Sequence, residues 1–147
     1  MTESSDPPAG QTARVAAPPA WPGWRGSGCV LVIDDDDSIR SVVARLVTRL
    51  GFTASQASDG QKAIAQFEEG PERYALVLLD FKLPVMDGSE VLSRLRRVKP
   101  DVRVILMSGL SRHEALEEFT GQGLAGFLQK PFTLDSLVSE LRAAFHP

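Results

Sequence analysis

The sequence predicts an α/β domain, a doubly wound parallel sheet with helices on both faces. Three observations carry that expectation. Short apolar runs occur at 29–33 ("CVLVI"), 74–79 ("YALVLL"), 102–107 ("VRVILM") and, more weakly, 126–129 ("GFLQ"). They lack polar alternation, as parallel strands buried on both faces do. Segments of helical period separate them, which fits crossovers of one hand wrapping a sheet. Each run also stops at polar or special residues: Asp34-Asp35, Asp80, Ser108-Gly109 and Lys130-Pro131.

The elements follow in order. Residues 1–27, "MTESSDPPAGQTARVAAPPAWPGWRGS", are rich in Pro, Ala, Gly and Ser and have no apolar period. Such a lead-in is expected to be disordered or polyproline-like. Trp21 and Trp24 stand out within it, as loosely packed residues or as a docking spot. The domain proper is expected over 28–147, beginning with the first run. Ile39, Val42, Val43, Leu46 and Leu50 then recur at helical spacing, and Gly51 offers a stop. "TASQAS" (53–58) is short and polar, an expected edge strand. Ala63, Ile64 and Phe67 mark a second helix ended by Gly70-Pro71. Val91, Leu92 and Leu95 mark a third that closes before Pro100. Residues 111–120 give a weaker fourth. Leu134, Leu137, Val138, Leu141 and Phe145 give a fifth, with Thr133 as its N-cap.

Bulk properties narrow the function. The 147 residues are 43% hydrophobic and 24% charged, with a net charge of −3. One core and one domain are expected at this length. An acidic balance argues against nucleic acid and anionic membranes as partners. Cys29 is the only cysteine and falls inside an apolar run, so it reads as buried filler. No apolar stretch approaches the roughly 20 residues of a membrane span, and no signal core opens the chain. A cytoplasmic protein is the simplest expectation.

In open α/β sheets, ligands gather beyond the carboxyl ends of the strands. The polar run-ends therefore converge on one edge: three carboxylates, a hydroxyl and an ammonium. Such a set suits a hard divalent cation, Mg²⁺ above all, which prefers oxygen ligands. The cation and the lysine offset the repulsion among the acids. Asp36 and Asp37 precede a helix and are expected to cap it, and Asp87 to cap the third. His113 and His146 lie on the periphery, with surface roles.

Four separated motifs, "VLVIDDDDSIR", "LVLLDFKLPVMDG", "VILMSG" and "GFLQKPF", resemble the response-regulator receiver domain of two-component signalling over residues 29–146. The resemblance implies a flavodoxin-like (βα)5 fold with strand order 2-1-3-4-5. It implies that Asp80 accepts a phosphoryl group from a histidine kinase or a histidine phosphotransfer protein. Asp35 and Asp80 are then direct Mg²⁺ ligands, Asp34 acts more through water, and the Lys82 backbone carbonyl completes the protein ligands. Lys130 pairs with phosphoryl oxygens, and the Ser108 hydroxyl turns inward to them. Phe127 is the switch aromatic, and Lys130-Pro131 is cis. The domain then takes part in its own phosphorylation and dephosphorylation without being an enzyme for an external substrate. It is expected to be a monomer or weak dimer that signals to an unidentified protein.

Two alternatives belong to other classes. A haloacid-dehalogenase-like phosphatase also uses a strand-end Asp, but it wants a second acid two residues on, where Lys82 stands. A receiver-shaped module without phosphorylation does not explain the complete acid, Ser and Lys set.

Overall fold

The computed structural model describes residues 24–119 and 123–146. Trp21 lies outside them, as does residue 120 at the end of the fourth expected helix. Five strands alternate with five helices: β1 Cys29–Ile33, α1 Asp37–Arg49, β2 Thr53–Ala57, α2 Gly60–Glu69, β3 Tyr74–Asp80, α3 Gly88–Val98, β4 Val104–Ser108, α4 Arg112–Glu118, β5 Gly126–Gln129 and α5 Leu134–Phe145. A short 3₁₀ turn, Pro71–Arg73, leads into β3. The strands are parallel in the order β2-β1-β3-β4-β5. This is the expected 2-1-3-4-5 arrangement, with the polar run at 53–57 on an edge.

The continuous apolar runs work as two interleaved sets. Successive strand side chains point to opposite faces. Leu31, Ile33, Val77 and Leu79 pack on one side with Phe67, Leu92, Leu95 and Phe119 of α2, α3 and the end of α4. Val30, Val32, Leu76 and Leu78 pack on the other with Val47, Leu137 and Leu141 of α1 and α5. Every residue of β1 and β4 is buried. Fully burying one such side chain stabilises by about 1.5–3 kcal/mol, so the sheet interior dominates the favourable side of folding.

Local chemistry sets the helix ends. Asp36 caps α1 by accepting from the N–H groups of Ser38 and Ile39 at 2.9 and 3.1 Å. Asp37 does not cap; it lies in the first turn and pairs with Arg40 at 2.7 Å. Asp87 caps α3 through the Glu90 N–H, and Thr133 forms a capping box with Ser136. Ser111 and Glu114 form another at α4. Gly51 follows α1 with φ +109°, a conformation costly for residues bearing a Cβ. One residue of the α1 pattern departs from expectation: Val42 is 45% exposed, while Val43 and Val47 are buried.

Residues 24–26 lie against the N-terminal end of the sheet. Trp24 packs on Phe52, with ring centroids 6.2 Å apart, and Phe52 stacks on Phe145 at 5.6 Å. The Gly26 N–H donates to the Leu50 carbonyl at 2.8 Å, and Arg25 reaches the Arg49 carbonyl at 3.4 Å. Those carbonyls end α1, where an intrahelical partner is lacking. A Cβ at position 26 would lie 2.0 Å from the Phe52 ring, so this close approach requires glycine.

Candidate functional site

Strand register builds the site. Ile33 is level with Leu79, Asp80 with Met107, and Ser108 with Gln129. The next residues out, Asp34 and Lys130, therefore emerge at the edge where β3 and β4 present Asp80 and Ser108. Backbone bonds hold the tips in line: Phe81 N–H to Met107 O at 2.8 Å, and Lys130 N–H to Ser108 O at 2.7 Å.

The Lys130 ammonium lies 2.9 Å from Asp34 Oδ2 and 3.3 Å from Asp80 Oδ1. Asp34 and Asp80 are buried, at 0% and 5% exposure, whereas Asp35 is exposed. One carboxylate oxygen from each of the three acids lies within 4.8 Å of the others. Asp34 is already engaged, since its Oδ1 accepts from the Asp36 N–H at 2.9 Å. Burial, and then the Asp34 charge, push the Asp80 carboxyl up to about 6, against the opposing pull of Lys130. For Lys130, burial works against the ammonium. Its hydrogen bond to Asp34 and the charges of both acids outweigh burial and hold it above its usual range.

This chemistry fits a hard divalent cation. The donors are oxygens, their charge exceeds that of the one ammonium, and they are close enough to share an ion. A soft metal would want sulfur or imidazole, and Cys29 lies in the core while His113 and His146 are exposed.

Among the remaining expected residues, Ser108 is 2% exposed, and its hydroxyl accepts from the Leu110 N–H at 3.0 Å. Phe127 is buried in the cluster under α2 to α4. Lys82 is exposed, two residues beyond Asp80. The Lys130-Pro131 bond is cis.

Two features escaped the sequence. Arg40 Nη1 donates to the Asp34 carbonyl at 2.8 Å while Nη2 pairs with Asp37, so it fixes the turn that aims Asp34. Its only sequence signal was the i,i+3 spacing from Asp37. The exposed Val42 lines an apolar groove of about 470 Å³ beside Lys130, with Ile39, Leu46, Pro131, Phe132 and Leu134.

Residues 30–142 match the family model described as response regulator receiver domain. Among curated proteins, the chain is 32% identical over 117 residues to the sensor kinase CckA of Brucella abortus (strain 2308), which covers 80% of this chain and 12% of that protein. It is 35% identical over 116 residues to the transcriptional regulatory protein TcrA of Mycobacterium tuberculosis (strain ATCC 25618 / H37Rv), which covers 78% of this chain and 44% of that one. The chain thus spans less than half the length of either. It is 32% identical over 108 residues to sporulation initiation phosphotransferase F of Bacillus subtilis (strain 168), over 74% of this chain and 86% of that protein. Among solved structures, the CheX-CheY-BeF3-Mg+2 complex from Borrelia burgdorferi aligns with a TM-score of 0.75 at 25% identity, over 80% of this chain and 89% of that one. Chemotaxis response regulator CheY4 of Vibrio cholerae aligns at 0.74 and 26%, over 81% and 99%. Register, acid pocket, sequence and fold agree: the chain belongs to the response regulator receiver domain family.

Proposed function

We propose that this chain accepts a phosphoryl group on Asp80 from a histidine kinase or histidine phosphotransfer protein in the cytoplasm, holds it with Mg²⁺ present, and signals as a monomer or weak dimer to a protein partner. Receiver domains are signalling modules, and kinases and phosphotransfer proteins are the partners of the family. The carrying observation is the Lys130 ammonium bridging Asp34 and Asp80 beside a three-carboxylate cluster.

The roles follow from position. An Asp80 oxygen attacks phosphorus, the phosphorus–nitrogen bond of the donor phosphohistidine breaks, and its electron pair stays on the imidazole. Transfer of this kind needs alignment and neutralisation of the equatorial oxygens. Lys130 provides a cation already at the acceptor. Asp35, Asp80 and the Lys82 carbonyl would hold Mg²⁺ directly, and Asp34, occupied by Lys130 and the Asp36 N–H, would act through water. Bound there, the ion supplies charge to keep Asp80 ionised and to neutralise the phosphoryl group. The Ser108 hydroxyl turns to the phosphoryl group after leaving the Leu110 N–H, and Phe127 follows that movement. Water reverses the mark by attack on phosphorus, which breaks the bond to the Asp80 oxygen, returns the carboxylate and releases inorganic phosphate, so no external substrate is turned over.

The donor protein has a surface to rest on. The groove of Ile39, Val42 and Phe132 flanks the site and suits the apolar face of a donor helix.

Acetyl phosphate with Mg²⁺, followed by intact-mass measurement, tests the reading. A labile adduct of about 80 Da, the mass of an added HPO₃, is expected on the native chain. Asp80→Asn abolishes it. An adduct on another residue, or none, ends the proposal. Val42→Asp is expected to slow transfer from the donor protein while leaving acetyl phosphate labelling intact.

A further inference from the structure

Ser108 and Arg112 are joined by a short link, Gly109-Leu110-Ser111, and Arg112 opens α4. A Cβ at Gly109 would meet nothing within 4 Å, so the link has room to move. Left alone, it would absorb any shift of Ser108 by changing its own dihedrals. Its far end, however, is held. Arg112 Nη2 pairs with Glu140 Oε2 on α5 at 3.2 Å, and the guanidinium lies over the Phe127 ring, 5.6 Å from its centroid. The other oxygen of the same carboxylate, Glu140 Oε1, accepts the Phe127 backbone N–H at 2.9 Å. That N–H faces the open side of the last strand, where no further strand lies among the described residues. The carboxylate fits there only because position 126 is glycine, since a Cβ would lie 2.6 Å from Glu140 Oε1. One carboxylate therefore grips β5 and the start of α4 together.

We propose that Glu140 and Arg112 are positioning residues that pass a movement of Ser108 on to β5 and α5. This rests on Asp80 as phosphoacceptor and concerns how its state leaves the site. Neither residue touches the reacting atoms. Their contribution is mechanical: the bidentate contact makes α4, β5 and α5 move as one body. Arg112 is half exposed, so its ion pair adds little stability by itself. Coupling, rather than stability, is what its loss removes.

The experiment compares amide hydrogen exchange of the full chain with and without Mg²⁺ plus beryllofluoride, a phosphoryl mimic, alongside acetyl phosphate labelling. In the native chain the mimic is expected to alter exchange in residues 108–112 and also in 126–129 and 134–145. Arg112→Ala and Gly126→Ala, the second displacing the carboxylate without changing charge, keep full labelling of Asp80. In both, the distant response shrinks by roughly two- to thirtyfold. Arg112→Lys, which keeps the cation, restores it. Undiminished distant response in both variants, or a lysine variant as deficient as the alanine one, overturns the proposal alone. Absence of labelling in the native chain overturns it together with the phosphoacceptor reading.

Discussion

The two ends of the sheet are built on opposite principles. At the carboxyl ends of the strands, Asp34 and Asp80 are buried against each other with one ammonium between them. At the amino ends, Trp24, Phe52 and Phe145 stack, Arg103 lies 5.2 Å over the Phe145 ring, and the last carbonyls of α1 receive donors from residues 25 and 26. One pole concentrates like charge around a single ammonium. The other stacks rings and caps the end of a helix. The two ends of the same strands thus carry different chemistry, charge at one and aromatic packing at the other.

The largest break in this contrast is expected from Lys130→Ala. It leaves two buried carboxylates facing each other without a counter-ion, a change that costs about 3–5 kcal/mol in comparable buried pairs. Urea unfolding without divalent metal should show the loss at pH 7.5 and much less of it at pH 4.5, where the Asp80 carboxyl takes up a proton. An equal loss at both values would mean that the lysine contributes packing alone.

Asp80→Asn acts in the other direction. The Asp80 carboxyl is raised from 3.8 to about 6, a difference worth on the order of 3 kcal/mol. Folding therefore takes up a proton between roughly pH 4 and 6. The neutral acid stabilises fully below the unfolded value, and that contribution is lost as pH rises through about 6. Metal-free native protein should weaken across this window, and Asp80→Asn should flatten the profile and melt higher at pH 7.5. Mg²⁺ should stabilise the native chain, by about 2.7 kcal/mol at a hundred times its Kd, and the variant far less.

Trp24→Ala probes the quiet pole. Loss of a half-buried indole is expected to cost about 1–3 kcal/mol, read as a lower melting temperature. Acetyl phosphate labelling of the remaining folded protein should be unchanged. A change in labelling rate would show that the two poles are coupled through the strands.

The smallest effect belongs to the loop that follows Asp80 at the acid pole. Val85 is 99% exposed with φ +69°, and the Met86 N–H reaches back to the Pro84 carbonyl at 2.7 Å. This is a strained turn for a β-branched residue. Val85→Gly relieves it and loosens the unfolded chain, leaving a net gain of about 0.5 kcal/mol. Calorimetry should detect the rise in melting temperature without loss of labelling.

These contrasts were unevenly visible in the sequence. The acid pole was legible because a strand buried on both faces must be a continuous apolar run. Where such a run stops, the sheet stops, and Asp34, Asp80, Ser108 and Lys130 mark those stops. The choice between neighbours on a helix was not legible. Val42 and Val43 share one apolar stripe, and only the depth of the sheet beneath decides which is covered. Contacts between distant residues left no local trace: Arg112 and Glu140 are ordinary surface charges until α4 and α5 meet. Asp37 read as a cap because it precedes the apolar pattern, but Asp36 reaches the free N–H groups first.

The carboxylate of Glu140 has one more consequence, outside signalling. A bare strand edge is a template on which a second chain can polymerise. On β5, the Phe127 N–H that would recruit such a strand is already occupied, and the Arg112 guanidinium flanks it. A sixth strand would first have to expel a partly buried acid from that edge, so the sheet resists growing into a fibril on this side.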